Sequence, residues 1–110
     1  MVLNKTKTAV FISGNGTNLK NLLIFSNKKR APIKINIIIS NNPKAKGLDF
    51  AKKYKIKSKI FNFKNQKKAE IRILKYLKKN SIDFICLAGF MKILSKEFIK
   101  NFGKKIINIH

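Results

Sequence analysis

Apolar and polar positions along the chain alternate between short continuous runs and stripes at helical spacing. Ala9, Val10, Phe11 and Ile12 form one run, Ser13-Gly14-Asn15-Gly16-Thr17-Asn18 breaks it, and Leu19, Leu22 and Leu23 then recur as on one helix face. Run, glycine loop and stripe read as strand, tight loop and helix. Lys28-Lys29-Arg30 and Pro32 mark a loop, and Ile33 to Ile39 is a strand too apolar toward its end to have a wet face, as strands inside parallel sheets are. Turn chemistry at Ser40-Asn41-Asn42-Pro43 precedes a short helix from about Ala45 to Tyr54, with Leu48 and Ala51 inward.

A weaker strand is expected over Lys59 to Phe63, then the longest helix over Gln66 to Asn80, with Ile71, Leu74 and Leu77 or Lys78 as its inward stripe. Asp83 to Ala88 is a fourth strand, apolar after its first residue. Ser95 has the character of an N-cap, and Glu97 suits the first turn of a helix running to about Phe102. Ile106-Ile107-Asn108-Ile109-His110 is a fifth strand. Strands separated by helices imply βαβ units: an α/β, Rossmann-like, mostly parallel sheet with helices on both faces. A length of 110 residues allows one domain at most.

In such sheets ligands bind beyond the carboxyl ends of the strands. Gly14 and Gly16 let the backbone turn sharply there, and the helix that follows offers unpaired N–H groups and the positive end of its dipole, a place for a phosphate. A G-x-G after a strand also serves wherever a tight turn is needed. A dinucleotide is disfavoured: Leu19 stands where the third glycine would be, and Ser40-Asn41-Asn42 supplies no carboxylate for a ribose.

Alternation along the fifth strand puts Ile106, Asn108 and His110 on one side and Ile107 and Ile109 on the other. An amide to hold an oxyanion and an imidazole to move a proton would project together, although a local polar contact and a solvated histidine fit the same positions. Asp49, Glu70, Asp83 and Glu97 are the carboxylates, too scattered to assemble a carboxylate pair or metal centre. Ser13 lacks the G-x-S-x-G context of a nucleophile.

Composition changes the picture in two places. The net charge of +22 attracts any polyanion, but the cations are almost all lysines spread over the chain, with arginine only at Arg30 and Arg72. Sequence-specific nucleic-acid binding leans on arginine, so no specific nucleic-acid partner is expected, and a small basic nucleic-acid-binding module stands as the alternative from another class. Cys86 is the single cysteine, within an apolar strand, and reads as a buried inert thiol in a reducing, cytoplasmic setting. The opening residues lack a signal-peptide h-region, and no apolar run has the length to span a bilayer.

Three stretches together carry a resemblance: Ile12-Ser13-Gly14-Asn15-Gly16-Thr17-Asn18-Leu19, Leu87-Ala88-Gly89-Phe90-Met91-Lys92-Ile93-Leu94-Ser95 and Ile107-Asn108-Ile109-His110. In order and separation they resemble the phosphoribosylglycinamide formyltransferases of purine biosynthesis, over nearly the whole chain. The resemblance implies that Gly16, Thr17 and Asn18 bind the substrate phosphate of glycinamide ribonucleotide and that Gly89 and Met91 line the same substrate. It implies that Lys92, Ile93, Leu94 and Asn108 border 10-formyltetrahydrofolate, the formyl donor, with no metal, and that Leu87, Phe98, Ile99 and Ile106 form apolar walls. Asn108 and His110 match the catalytic Asn and His.

This sequence departs from the family in having lysine at Lys92, where arginine is common, and a further basic phosphate contact falls on Lys67 or Lys68 without a secure match. The family continues beyond this histidine and supplies an aspartate that pairs with it. The expectation is therefore an amino-terminal, nucleotide-substrate-binding half over 1–110, truncated at the fifth strand, with little activity alone and an unpaired apolar edge. Formyltetrahydrofolate deformylase and methionyl-tRNA formyltransferase are the enzymatic alternatives on the same fold. The loop from Ser13 to Leu19 favours a small phosphorylated substrate.

Overall fold

The computed structural model describes residues 4–109. Its elements in chain order are β1 (Thr6–Ile12), α1 (Thr17–Ser26), β2 (Ile33–Ser40), α2 (Leu48–Lys53), β3 (Lys57–Ile60), α3 (Gln66–Lys79), β4 (Phe84–Ala88), α4 (Lys96–Phe102) and β5 (Lys105–Ile109). The five strands make one sheet in the order β3-β2-β1-β4-β5, every neighbouring pair parallel. The α/β sheet expected from the alternation of runs and stripes is the one observed.

The near-continuous apolar runs are the strands with both faces covered. Ala9 to Ile12 and Ile37 to Ile39 have no exposed surface. Beyond the register shift at Asn36, odd and even residues divide between two cores. Ala9, Phe11, Ile37, Ile39 and Ile85 pack under α3 and α4 through Ile73, Leu77 and Phe98. Val10, Ile12, Ile38 and Cys86 pack on the other face under α1 and α2 through Leu19, Leu23 and Ala51.

Two expectations are corrected. The inward stripe of α3 is Ala69, Ile73 and Leu77, joined by the buried Glu70, whereas Ile71 is 51% exposed. At 3.6 residues per turn Ile71 sits about 200° around the helix from Ile73, so the two cannot share a face. Leu74 lies at the margin of that face and Lys78 is exposed. The third strand spans Lys57–Ile60 rather than Lys59 to Phe63, because its partner β2 ends at Ser40, which pairs with Ile60. Phe61 and Phe63 are buried after the strand has ended.

Cys86 is buried in the core on the α1 side, and burial pushes its thiol up to about 11. The thiolate reacts, so at about pH 8 only around one molecule in a thousand carries the reactive form. A thiol reagent at that pH is expected to leave the folded chain unlabelled and to label it stoichiometrically once denatured; rapid native-state labelling would contradict this burial.

Candidate functional site

The strand order reverses between β1 and β4. The chain leaves β1 for α1 on one face and leaves β4 toward α4 on the other, opening a crevice at the carboxyl ends of these strands. Ser13, the first residue beyond β1, ties this crevice together. Its hydroxyl donates to Asn41 Oδ1 and accepts from the Met91 N–H at 2.8 Å, and its carbonyl accepts from Asn42 Nδ2 at 3.2 Å. One small side chain thus joins the loops after β1, β2 and β4. Ser13 is a positioning residue, and the absence of a nucleophile motif around it accords with that.

α1 begins at Thr17 with Gly16 as its N-cap, in the left-handed region at φ 81°, and among the described residues no side chain caps its first N–H groups. Gly16 lies against a second glycine: a Cβ on Gly16 would fall 2.6 Å from Gly47 Cα. The Gly47 N–H donates to the Gly14 carbonyl at 3.0 Å, which holds the approach to α2 against the loop. The result is a bare backbone cradle with free donors at a helix amino terminus, suited to an anion. Thr17 is exposed and Asn18 half-buried at this terminus. Asn18 Nδ2 reaches the Ile109 carbonyl at 3.5 Å, so the first turn of α1 and the end of β5 adjoin.

Gly89, Met91, Lys92 and Ile93 are exposed in the segment after β4. Met91 and Ile93 expose 77% and 87% of their surface, a large apolar display next to an otherwise polar crevice. Leu94 turns into the core beneath α3 and α4, so its side chain packs inside rather than facing out. Of the expected apolar walls, Phe98 is a core residue, Leu87 and Ile106 pack partly buried against the same core, and Ile99 is exposed. Asn108 is exposed on β5, in register with Leu87 of β4. His110 lies outside the described residues. Lys67 and Lys68 are exposed on the first turn of α3.

Sequence reasoning missed the residue that fixes the segment after β4. Glu70 is buried on α3 and accepts from Ser95 N–H at 2.8 Å, from Ser95 Oγ at 2.6 Å and from Gln66 Nε2 at 3.1 Å. Gln66 Nε2 also donates to the Ile93 carbonyl at 2.7 Å, and Ser95 Oγ accepts from Phe98 N–H as the N-cap of α4. Glu70 and Gln66 therefore clamp residues 93–95 from above. A carboxylate inside a helical stripe otherwise occupied by apolar residues was the available signal. Among the described residues no three His, Cys, Asp or Glu side chains gather as a metal site, and no helix is long and apolar enough to cross a membrane.

The chain matches the formyl transferase family over residues 6–110. It is 42% identical over 107 residues to a phosphoribosylglycinamide formyltransferase of Haemophilus influenzae, covering 94% of this chain and 50% of that protein. It is 38% identical over 109 residues to the human trifunctional purine biosynthetic protein adenosine-3, covering 96% of this chain and 11% of that much longer protein. The crystal structure of phosphoribosylglycinamide formyltransferase from Brucella melitensis superposes with a TM-score of 0.92 at 33% identity, over 97% of this chain and 57% of that one. The chain thus spans about half the length of these single-function relatives.

Proposed function

This chain belongs to the formyl transferase family, and within it we propose that residues 1–110 form the nucleotide-substrate-binding half of an enzyme that formylates the amine of glycinamide ribonucleotide. The observation that carries the reading is the amino terminus of α1, where Gly16 and Gly47 pack backbone against backbone and, among the described residues, no side chain caps the first N–H groups. A substrate phosphate seated there gains the helix dipole and several backbone donors at once. This anion cradle favours a small phosphorylated substrate over those of the deformylase or the methionyl-tRNA enzyme. The name of the Haemophilus relative supports the same choice.

In this reading 10-formyltetrahydrofolate supplies the formyl group, bordered by Lys92, Ile93 and the backbone at Leu94. The exposed apolar side chain of Ile93 suits a flat ring system, and the Lys92 ammonium gives a carboxylate a point charge without arginine's two-pronged geometry. The substrate amine attacks the formyl carbon and forms the new C–N bond. Asn108 donates to the oxygen as negative charge develops on it. The bond to the folate nitrogen then breaks, and the proton lost by the amine passes to that nitrogen, a transfer assigned to the His110 imidazole. Gly89 and Met91 border the ribonucleotide, and the partners are small molecules in the cytoplasm.

Calorimetric titration of glycinamide ribonucleotide tests the reading, with ribose 5-phosphate as a partial ligand. Saturable binding that weakens at least about ten-fold when Thr17 and Asn18 are both replaced by alanine is expected, since two contacts to one phosphate are worth more than about 1.4 kcal/mol. Binding unchanged by the double substitution contradicts it.

A further inference from the structure

A second concave surface lies at the opposite edge of the sheet from β5. β3 is the edge strand there, and between it and α3 runs a groove of about 850 Å³. Lys68, Arg72, Lys75 and Lys79 stand along α3 on this groove. Their spacing of four, three and four residues is one helix stripe, about 16 Å long at 1.5 Å per residue. Lys59 and Lys64 face them from the other wall. No carboxylate lines the groove, because Glu70 points to the other side of α3 into its bonds with Ser95 and Gln66.

The floor is aromatic. Phe61 and Tyr76 pack edge to face at 5.8 Å, and the Lys59 ammonium sits 4.9 Å from the Tyr76 ring centre and 5.6 Å from that of Phe61. The two ring faces hold this cation over the groove by cation–π attraction. Uncompensated cations in a row beside aromatic rings are the elements of surfaces that track a single-stranded phosphate backbone without reading its sequence. The volume, near the upper range for small-molecule pockets, admits a few nucleotides of a single strand.

The geometry points to the β3–α3 groove as a binding surface for single-stranded nucleic acid, independent of the crevice at the carboxyl ends of β1, β4 and β5. The overall excess of lysine gives every face of the chain some affinity for polyanions. What distinguishes this groove is six cations on one concavity with no acid among them, and that distinction can be measured.

Fluorescence anisotropy of a labelled oligothymidine of about six nucleotides, toward the short end of single-strand site sizes, is recorded across a salt series. It compares the full chain with a triple variant K68Q/R72Q/K75Q and with a control triple K28Q/K29Q/K100Q of the same net charge. Glutamine is a good helix former, so α3 is retained. The groove triple is expected to bind at least ten-fold more weakly and to lower the slope of log affinity against log salt by about 2, at roughly 0.7 per single-strand phosphate contact. The control triple should lose less than about three-fold. Equal losses in both triples, no saturable binding by the unmodified chain, or equally tight binding of a duplex would overturn the assignment.

Discussion

Gly16→Ala is expected to destabilise the chain by about 3 kcal/mol and to abolish ribonucleotide binding. A left-handed backbone costs an L-residue roughly 1–2 kcal/mol, and at φ 81° the new Cβ would lie 2.6 Å from Gly47 Cα. That neighbour is backbone and has no rotamer with which to retreat, so the loop after β1 and the approach to α2 must part. Parting them moves the free N–H groups of α1 away from their common focus, which is why binding falls with stability. Gly47→Ala gives the internal comparison. Its Cβ would meet Ile12 Cδ1 at 2.6 Å, the end of a side chain, and the Gly16 backbone only at 3.2 Å, and its φ of −57° suits alanine. About 1 kcal/mol is expected there. Urea denaturation of the two variants tests the order, and a Gly16→Ala midpoint equal to that of the parent would refute the cradle.

Glu70→Ala is expected to cost a further large amount, about 3 kcal/mol, through a different mechanism. Three donors converge on this buried carboxylate, and hydrogen bonds to charged groups are worth roughly 1.5–3 kcal/mol each, less than additively. Truncation leaves the part-buried Ser95 N–H without its acceptor and frees Gln66 from one of its two partners. Residues 93–95 should then exchange amide hydrogens much faster while β1 and β2 stay protected, because the clamp is local. Glu70→Gln keeps one acceptor and should fall between. A Glu70→Ala chain with parental stability and unchanged exchange would show that the segment after β4 is held by other means.

These two positions mark where the sequence stops being readable. The sheet was legible because strands covered on both faces must be apolar on both sides, and Ala9 to Ile12, Ile37 to Ile39 and Phe84 to Ala88 announce this directly. The N-cap at Ser95 was legible because capping is local: its hydroxyl accepts from Phe98 N–H three residues on. The inward stripe of α3 was misread because Ile71 and Leu74 lie at helical spacing from the buried Leu77, whereas the buried face is centred on Ala69, Glu70 and Ile73, and a small residue and a charged one do not announce a core position. The roles of Ser13, Gly47 and Glu70 depend on partners 78, 31 and 25 residues away. No local pattern encodes such pairings: Ser13 meets Met91, and Glu70 meets Ser95, only when the fold brings them together, as Gly16 meets Gly47.

The candidate site shows the same division. The turn at Gly14 to Asn18 was readable from two glycines between a strand and a helix, and the place of Asn108 on the last strand from alternation, whereas the roles expected of both came with the family resemblance. That the two regions adjoin became visible only in three dimensions, where Asn18 Nδ2 reaches the Ile109 carbonyl across the end of β4. β5 lies at the sheet edge with Ile107 36% exposed.

The central claim is that one crevice, at the carboxyl ends of β1, β4 and β5, receives the phosphorylated substrate. Amide chemical-shift mapping of the isotopically labelled chain with glycinamide ribonucleotide tests it most directly. The account predicts shifts concentrated at Gly14 to Lys20, at Gly47 and at Gly89 to Ile93, with β3 and the outer face of α3 unmoved. Shifts confined to the Lys59 to Lys79 groove, with the Gly16 amide unchanged at saturation, would contradict it.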